Sequence, residues 1–338
     1  MRALLLLAVA ALWTTPSAPA QHIDSLVVRL QRTAATGDAQ ATVTAADAIL
    51  RRRGPDANDQ PTVFALVAKA GALSEMGRDA LALPVASRAV RVAPYVPHVW
   101  SLRAQVYDAL GEPGKAADDL AIGAEWADGD PDLAFGFRRM GAFYLSQAGR
   151  LGEADSLQTA LLTLDALTPE RRSDLFSGRG ETRYRAGDLE GAFADFEAAL
   201  EALPDSPLAL LSRVDVLLRE SRFDEARVDL DRTLALDPET IPAYLHGIAF
   251  VNRGYVRRLG GEAAAASEDV AAGLERFPEN PLAYRLRALL HLDGGDVPAA
   301  CADLQQALLL DYYGKFGPYY QYGPDVRELL AEHCSVEP

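Results

Sequence analysis

The side chains able to do chemistry are scattered along this chain rather than gathered. The five histidines, His22, His98, His246, His291 and His333, stand far apart, and none forms the His-Glu-x-x-His pair that would seat zinc on one helix face. A Gly-x-Ser-x-Gly nucleophile elbow and a Gly-x-x-x-x-Gly-Lys phosphate loop are both absent from the sequence. Ser177-Gly178-Arg179-Gly180 is rich in glycine but falls inside a helical pattern, where small residues serve close packing. Asp118 and Asp119 are neighbours on a helix, so they face different directions and do not form a general acid–base pair. No metal, cofactor or catalytic residue is therefore expected. An enzyme would need groups converging from distant segments.

The elements that position these side chains follow from a period. Gly187, Ala192, Phe196, Ala199 and Pro204 recur 34 residues later as Ser221, Ala226, Leu230, Thr233 and Pro238. A unit of two helices at this length cannot bury its own apolar face and must stack on copies of itself. The small residue makes the turn, alanine keeps the second helix close, the bulky residue fills the space between neighbours, and proline ends the unit. Trp100, Ala104, Tyr107, Gly111, Ala116 and Leu120 continue the pattern. So do Gly77, Ala86 and Ala89, Gly37 with Ala46, Gly149 with Ala154, Gly261 with Ala266 and Val270, and Gly295 with Ala300 and Leu304. Pro84 falls inside a second helix, which is expected to start late or kink.

On these residues the chain resembles the tetratricopeptide-repeat family. The resemblance implies an all-α fold, a right-handed α-solenoid of about eight stacked helix-turn-helix units. They are read at residues 23–56, 63–96, 97–130, 131–172, 173–206, 207–240, 241–280 and 281–314, within a solenoid spanning 21–314. The fourth unit is read as lengthened between Pro131 and Arg172, and the seventh around Arg257 to Gly260.

The family also implies where partners bind, since positions on the first helices line the inner groove. Carried onto this sequence, that pattern selects Arg139, Glu181, Tyr184, Arg185, Asp215, Arg219, Asn252, Arg253 and Arg285. Arginines in five successive units would form a positive track suited to an acidic peptide or a terminal carboxylate. The same arginines could instead complement helix dipoles or pair with acids of neighbouring units. The lysine and asparagine pattern by which some members clamp chaperone tails is not reproduced.

The ends carry separate signals. Arg2 precedes an apolar run from Ala3 to Trp13, and Ala18-Pro19-Ala20 offers small residues for a peptidase. Residues 1–20 thus read as a cleaved signal peptide, placing the protein in the periplasm or outside a bacterial cell, with no later membrane span. Residues 315–338 read as a tyrosine-rich loop and a capping helix from Val326 to His333. In an oxidising compartment Cys301 and Cys334 would tie that cap to the last unit, whereas without export they would be two buried thiols. Tyr312, Tyr313, Phe316, Tyr319, Tyr320 and Tyr322 crowd the Gly/Pro-punctuated stretch before the cap. They either seal the solenoid end or form a shelf for a sugar or peptide.

Charge narrows the partners. A formal charge of −15 repels phosphate backbones and anionic membrane surfaces. The sequence thus points to an exported scaffold binding a protein or peptide. Two other classes stand beside it, a glycan- or small-ligand-binding protein using the tyrosine cluster and an envelope hydrolase using Glu181 or Asp215.

Overall fold

Nine described residues have positive φ; Gly54 ends a second helix, and the other eight punctuate the chain as Gly37, Gly77, Gly111, Gly149, Gly187, Ser221, Gly261 and Gly295. Each of these eight is the point where a first helix turns into a second, in the left-handed region that glycine enters without steric cost. The computed structural model describes residues 21–127, 129–165, 167–310, 312 and 325–334. Among these residues it contains seventeen helices and no strand.

Two compact units divide the chain, residues Met1–Leu161 and Leu162–Pro338. The first unit pairs α1 (Gln21–Ala35) with α2 (Ala39–Arg53), α3 (Gln60–Glu75) with α4 (Asp79–Val92), α5 (Pro97–Ala109) with α6 (Pro113–Trp126), and α7 (Pro131–Gln147) with α8 (Leu151–Leu162). The second pairs α9 (Pro169–Ala186) with α10 (Leu189–Ala202), α11 (Pro207–Arg219) with α12 (Phe223–Ala235), α13 (Ala243–Leu259) with α14 (Ala263–Arg276), and α15 (Pro281–Asp293) with α16 (Val297–Leu309). A final helix, α17 (Val326–His333), follows. In each unit, first helices touch the first helices of the next pair, as α3 does α5 and α11 does α13. The fold is an α-solenoid of stacked helix pairs.

Local chemistry sets the boundaries. Proline opens α5, α7, α9, α11 and α15, where its missing N–H costs nothing. Side chains of Asp59, Asp130, Thr168, Ser206 and Asn280 accept hydrogen bonds from the first-turn amides of the helices they precede. Five residues after the turn, Ala82, Ala116, Ala154, Ala192, Ala226, Ala266 and Ala300 are all fully buried. Their single methyl groups let the helices of a pair approach. Leu217, Leu230 and Leu286 lie at the heart of the second unit, and its core runs on to Tyr312, Val326 and Leu329. Each such leucine contributes about 2 kcal/mol by leaving water.

Three expectations change. Helix α4 begins at Asp79 and runs through Pro84 without a late start. The fifth pair's first helix begins at Pro169, four residues before the expected Ser173, so α9 is 18 residues long. In the seventh pair Gly261 still follows Arg253 by eight residues, as Gly295 follows Arg287. The extra turn of the 17-residue α13 therefore lies at its N-terminal end rather than around Arg257 to Gly260.

Cys301 on α16 and Cys334 after α17 are disulfide-bonded, with Cα atoms 5.7 Å apart. The chain-entropy account assigns a loop of this length about 4 kcal/mol. The segment read as a signal peptide, residues 1–20, lies outside the described residues, as do Tyr313, Phe316, Tyr319, Tyr320 and Tyr322. Tyr312 is 1% exposed, inside the core, and its ring offers no shelf.

Candidate functional site

The first helices of the first unit enclose a cavity of about 380 Å³, within the size range of ligand pockets. Its floor is built of small side chains, Ala68, Gly71 and Ala72 on α3 and Ala109 on α5. Val67, Leu102, Val106 and Met140 add apolar walls. Ser74, Glu75, Gln105, Asp108 and Tyr144 supply the polar rim. Tyr144 Oη donates a hydrogen bond to Asp108 Oδ2 at 3.1 Å. Burial first, and then the Asp108 carboxylate, hold the Tyr144 phenol above its ordinary pKa, so it stays a donor. Glu75 and Asp108 are the charged groups among these lining residues, and both are exposed.

The cavity defines a register. On α3 and α5 alike, lining residues stand nine, six, five, three and two places before the turn glycine. In the second unit these places hold six of the nine residues expected from sequence. Glu181, Tyr184 and Arg185 stand six, three and two before Gly187. Asp215 and Arg219 stand six and two before Ser221, and Asn252 stands nine before Gly261. Four of the six meet: the Arg219 guanidinium lies 5.4 Å from the Tyr184 ring centroid, and both Glu181 and Asp215 act electrostatically on the Tyr184 phenol. Burial, Asp215 and Glu181 together outweigh the hydrogen bond from Arg219 and push Tyr184 up to about 12. Asp215 is half-buried, and its pKa is raised well above the usual carboxylate range by desolvation and then by Glu181. Asn252 is 1% exposed.

The other three residues part from this register. Arg253 stands eight before its turn and donates to both oxygens of Asp269, with a further bond to Asp231 at 2.9 Å. Its charge is spent on Asp269 of its own pair and Asp231 of the preceding one, so it is not a groove cation. Arg139 and Arg285 stand ten before their turns; Arg139 is exposed, whereas Arg285 is 2% exposed. The five arginines thus occupy three different registers and do not trace one track.

The pairing of Arg253 belongs to a series that sequence reading missed. Arg103–Asp119, Arg179–Asp195, Arg213–Asp229, Arg253–Asp269 and Arg287–Asp303 are all bidentate, each separated by 16 residues. The recurring Arg-x15-Asp spacing was visible in the sequence. The cavity residues left a fainter signal, small residues at matching places in α3 and α5.

Among the described residues no three His, Cys, Asp or Glu side chains gather as a metal ion would need, and no helix is long and apolar enough to cross a membrane.

Comparison with known proteins agrees with this architecture. The family described as tetratricopeptide repeat matches residues 177–241 and 244–318. A tetratricopeptide repeat protein from Parabacteroides merdae superposes with a TM-score of 0.54 at 17% identity, covering 93% of this chain and 100% of that one. Residues 177–241 and 244–318 of this chain are tetratricopeptide repeats. The chain also superposes on a chain of the APC/C hetero-tetramer Cut9–Hcn1 with a TM-score of 0.56 at 16% identity, covering 88% of this chain and 53% of that chain. At such identities the likeness speaks for the fold. Tetratricopeptide-repeat solenoids are typically non-catalytic scaffolds for protein–protein interaction.

Proposed function

We propose that the protein is an exported scaffold that binds an extended peptide or a helix of a partner protein along its first-helix groove. The cavity between α3, α5 and α7 carries this reading, because a stretch of small side chains leaves room where neighbouring helices would otherwise fill it. A peptide laid there buries apolar surface against Met140 and meets polar groups at the rim. Export is supported by the apolar run and small-residue site before Gln21, and it suits a cap held by Cys301 and Cys334.

Capture from native envelope extract tests the reading. The wild-type protein and a Gly71→Leu variant serve as baits. An added Cβ at Gly71 meets nothing within 4 Å, so a larger side chain starts there without a clash and extends into the cavity. A stoichiometric protein held by the wild type and lost by the variant is the expected result. Equal capture by both moves the interface off the groove. The N-terminus of protein recovered from the source cells tests export, with Gln21 expected and Met1 overturning it.

A further inference from the structure

We infer that the cavity of the first unit receives a basic side chain, lysine or arginine, projecting from an extended segment of the partner. The inference rests on the groove-binding reading above and adds the chemistry of what enters. The charged groups on the described lining are Glu75 and Asp108, both carboxylates, with no lysine or arginine among those residues. The Lys and Arg side chains on α3 and α5 are engaged elsewhere: Lys69 Nζ donates to Asp47 at 2.7 Å, and Arg103 is bidentate with Asp119.

The two carboxylates are placed to receive rather than to stabilise. Tyr144 holds one oxygen of Asp108, and neither the other oxygen nor Glu75 has an ion pair among the described residues. Ala68, Gly71 and Ala72 add apolar lining to the same cavity. An aliphatic stem with a charged tip matches that profile, its methylenes on the alanines and its cation at the rim. A carboxylate-bearing ligand would meet two like charges there, and desolvation would strengthen the repulsion. The volume of about 380 Å³ accommodates a long side chain with adjoining backbone.

Fluorescence anisotropy with blocked, labelled 12-residue peptides tests this on the full chain. One peptide alternates lysine with alanine, and arginine, norleucine and glutamate replace lysine in the others. Binding of the lysine or arginine peptide is expected to exceed that of the norleucine and glutamate peptides at least tenfold in 0.15 M salt. Gly71→Leu and the pair Glu75→Gln/Asp108→Asn should each weaken it at least tenfold. The pair Asp56→Asn/Glu125→Gln, equal in charge and placed on exposed residues outside the cavity, should leave it within twofold. Circular dichroism melting of each variant checks the fold.

Equal loss with the outside pair would reduce the effect to net charge and overturn the inference. Binding of norleucine as tight as lysine would overturn it too. A partner captured from extract that is lost on Gly71→Leu but kept on Glu75→Gln/Asp108→Asn would overturn it while leaving the groove reading intact. Capture unaffected by Gly71→Leu would remove the groove reading itself.

Discussion

Arg213 and Asp229 face each other between α11 and α12, with Nε and Nη2 each 2.7 Å from one carboxylate oxygen and Asp229 only 2% exposed. The same bidentate geometry recurs at the same spacing in four other helix pairs, so this clip is a repeated structural device. Removing one member strands a charge in a low-dielectric site. Asp229→Ala should therefore destabilise the protein by about 3 kcal/mol in urea unfolding. Arg213→Met/Asp229→Leu should recover most of that loss, since an apolar pair of similar volume leaves no stranded charge. A double variant as unstable as Asp229→Ala would show that the pair acts through something other than its charges.

How far the sequence revealed this arrangement depends on which residues were used to count. The turn residues were legible because positive φ demands glycine, and seven of the eight are glycine. Arg253 leaves the groove because the register runs backwards from the turn at Gly261, and eight places before a turn is where the other pairs hold the arginine bonded to aspartate. An extra helical turn at the N-terminal end of α13 leaves that count alone. The cavity was harder to foresee. Its floor consists of alanines and a glycine, which read as ordinary packing residues until the neighbouring helices fail to cover them.

Gly180 on α9 lies against Phe196 on α10, and an added Cβ would stand 2.5 Å from the ring. The ring is 1% exposed and has nowhere to go. At the equivalent place in α5, Ala104 fits because Leu120 is smaller than phenylalanine. Gly180→Ala should cost about 2 kcal/mol by overpacking, despite alanine's better helix propensity. Adding Phe196→Leu should remove most of that cost. A Gly180→Ala variant as stable as the wild type would mean the ring can move aside.

Ser221 carries φ of 59° at the one turn of the eight that lacks glycine. A side chain in that region costs about 1 kcal/mol relative to glycine. Ser221→Gly should raise stability by somewhat less, because the unfolded chain also gains freedom. The melting temperature should rise by about 1–3 °C. A fall would mean that the serine side chain contributes a bond that outweighs the backbone strain.

Asp215 binds its proton more tightly in the folded protein than in the unfolded chain, since burial and then Glu181 penalise its charge. The sign follows from linkage. Its contribution to stability is full below the unfolded-state pKa of about 4 and is lost as pH rises through the raised folded-state value. Asp215→Asn removes the charge at every pH, so the variant should melt higher than the wild type at pH 7. The gap should narrow as pH falls towards about 4 and close below it, where the wild-type carboxyl is protonated in both states. Parallel melting curves at pH 7 and pH 4 read this directly. A gap that stays constant with pH would show that the carboxylate is not desolvated, and that Arg219, stacked on Tyr184 beside it, already neutralises it.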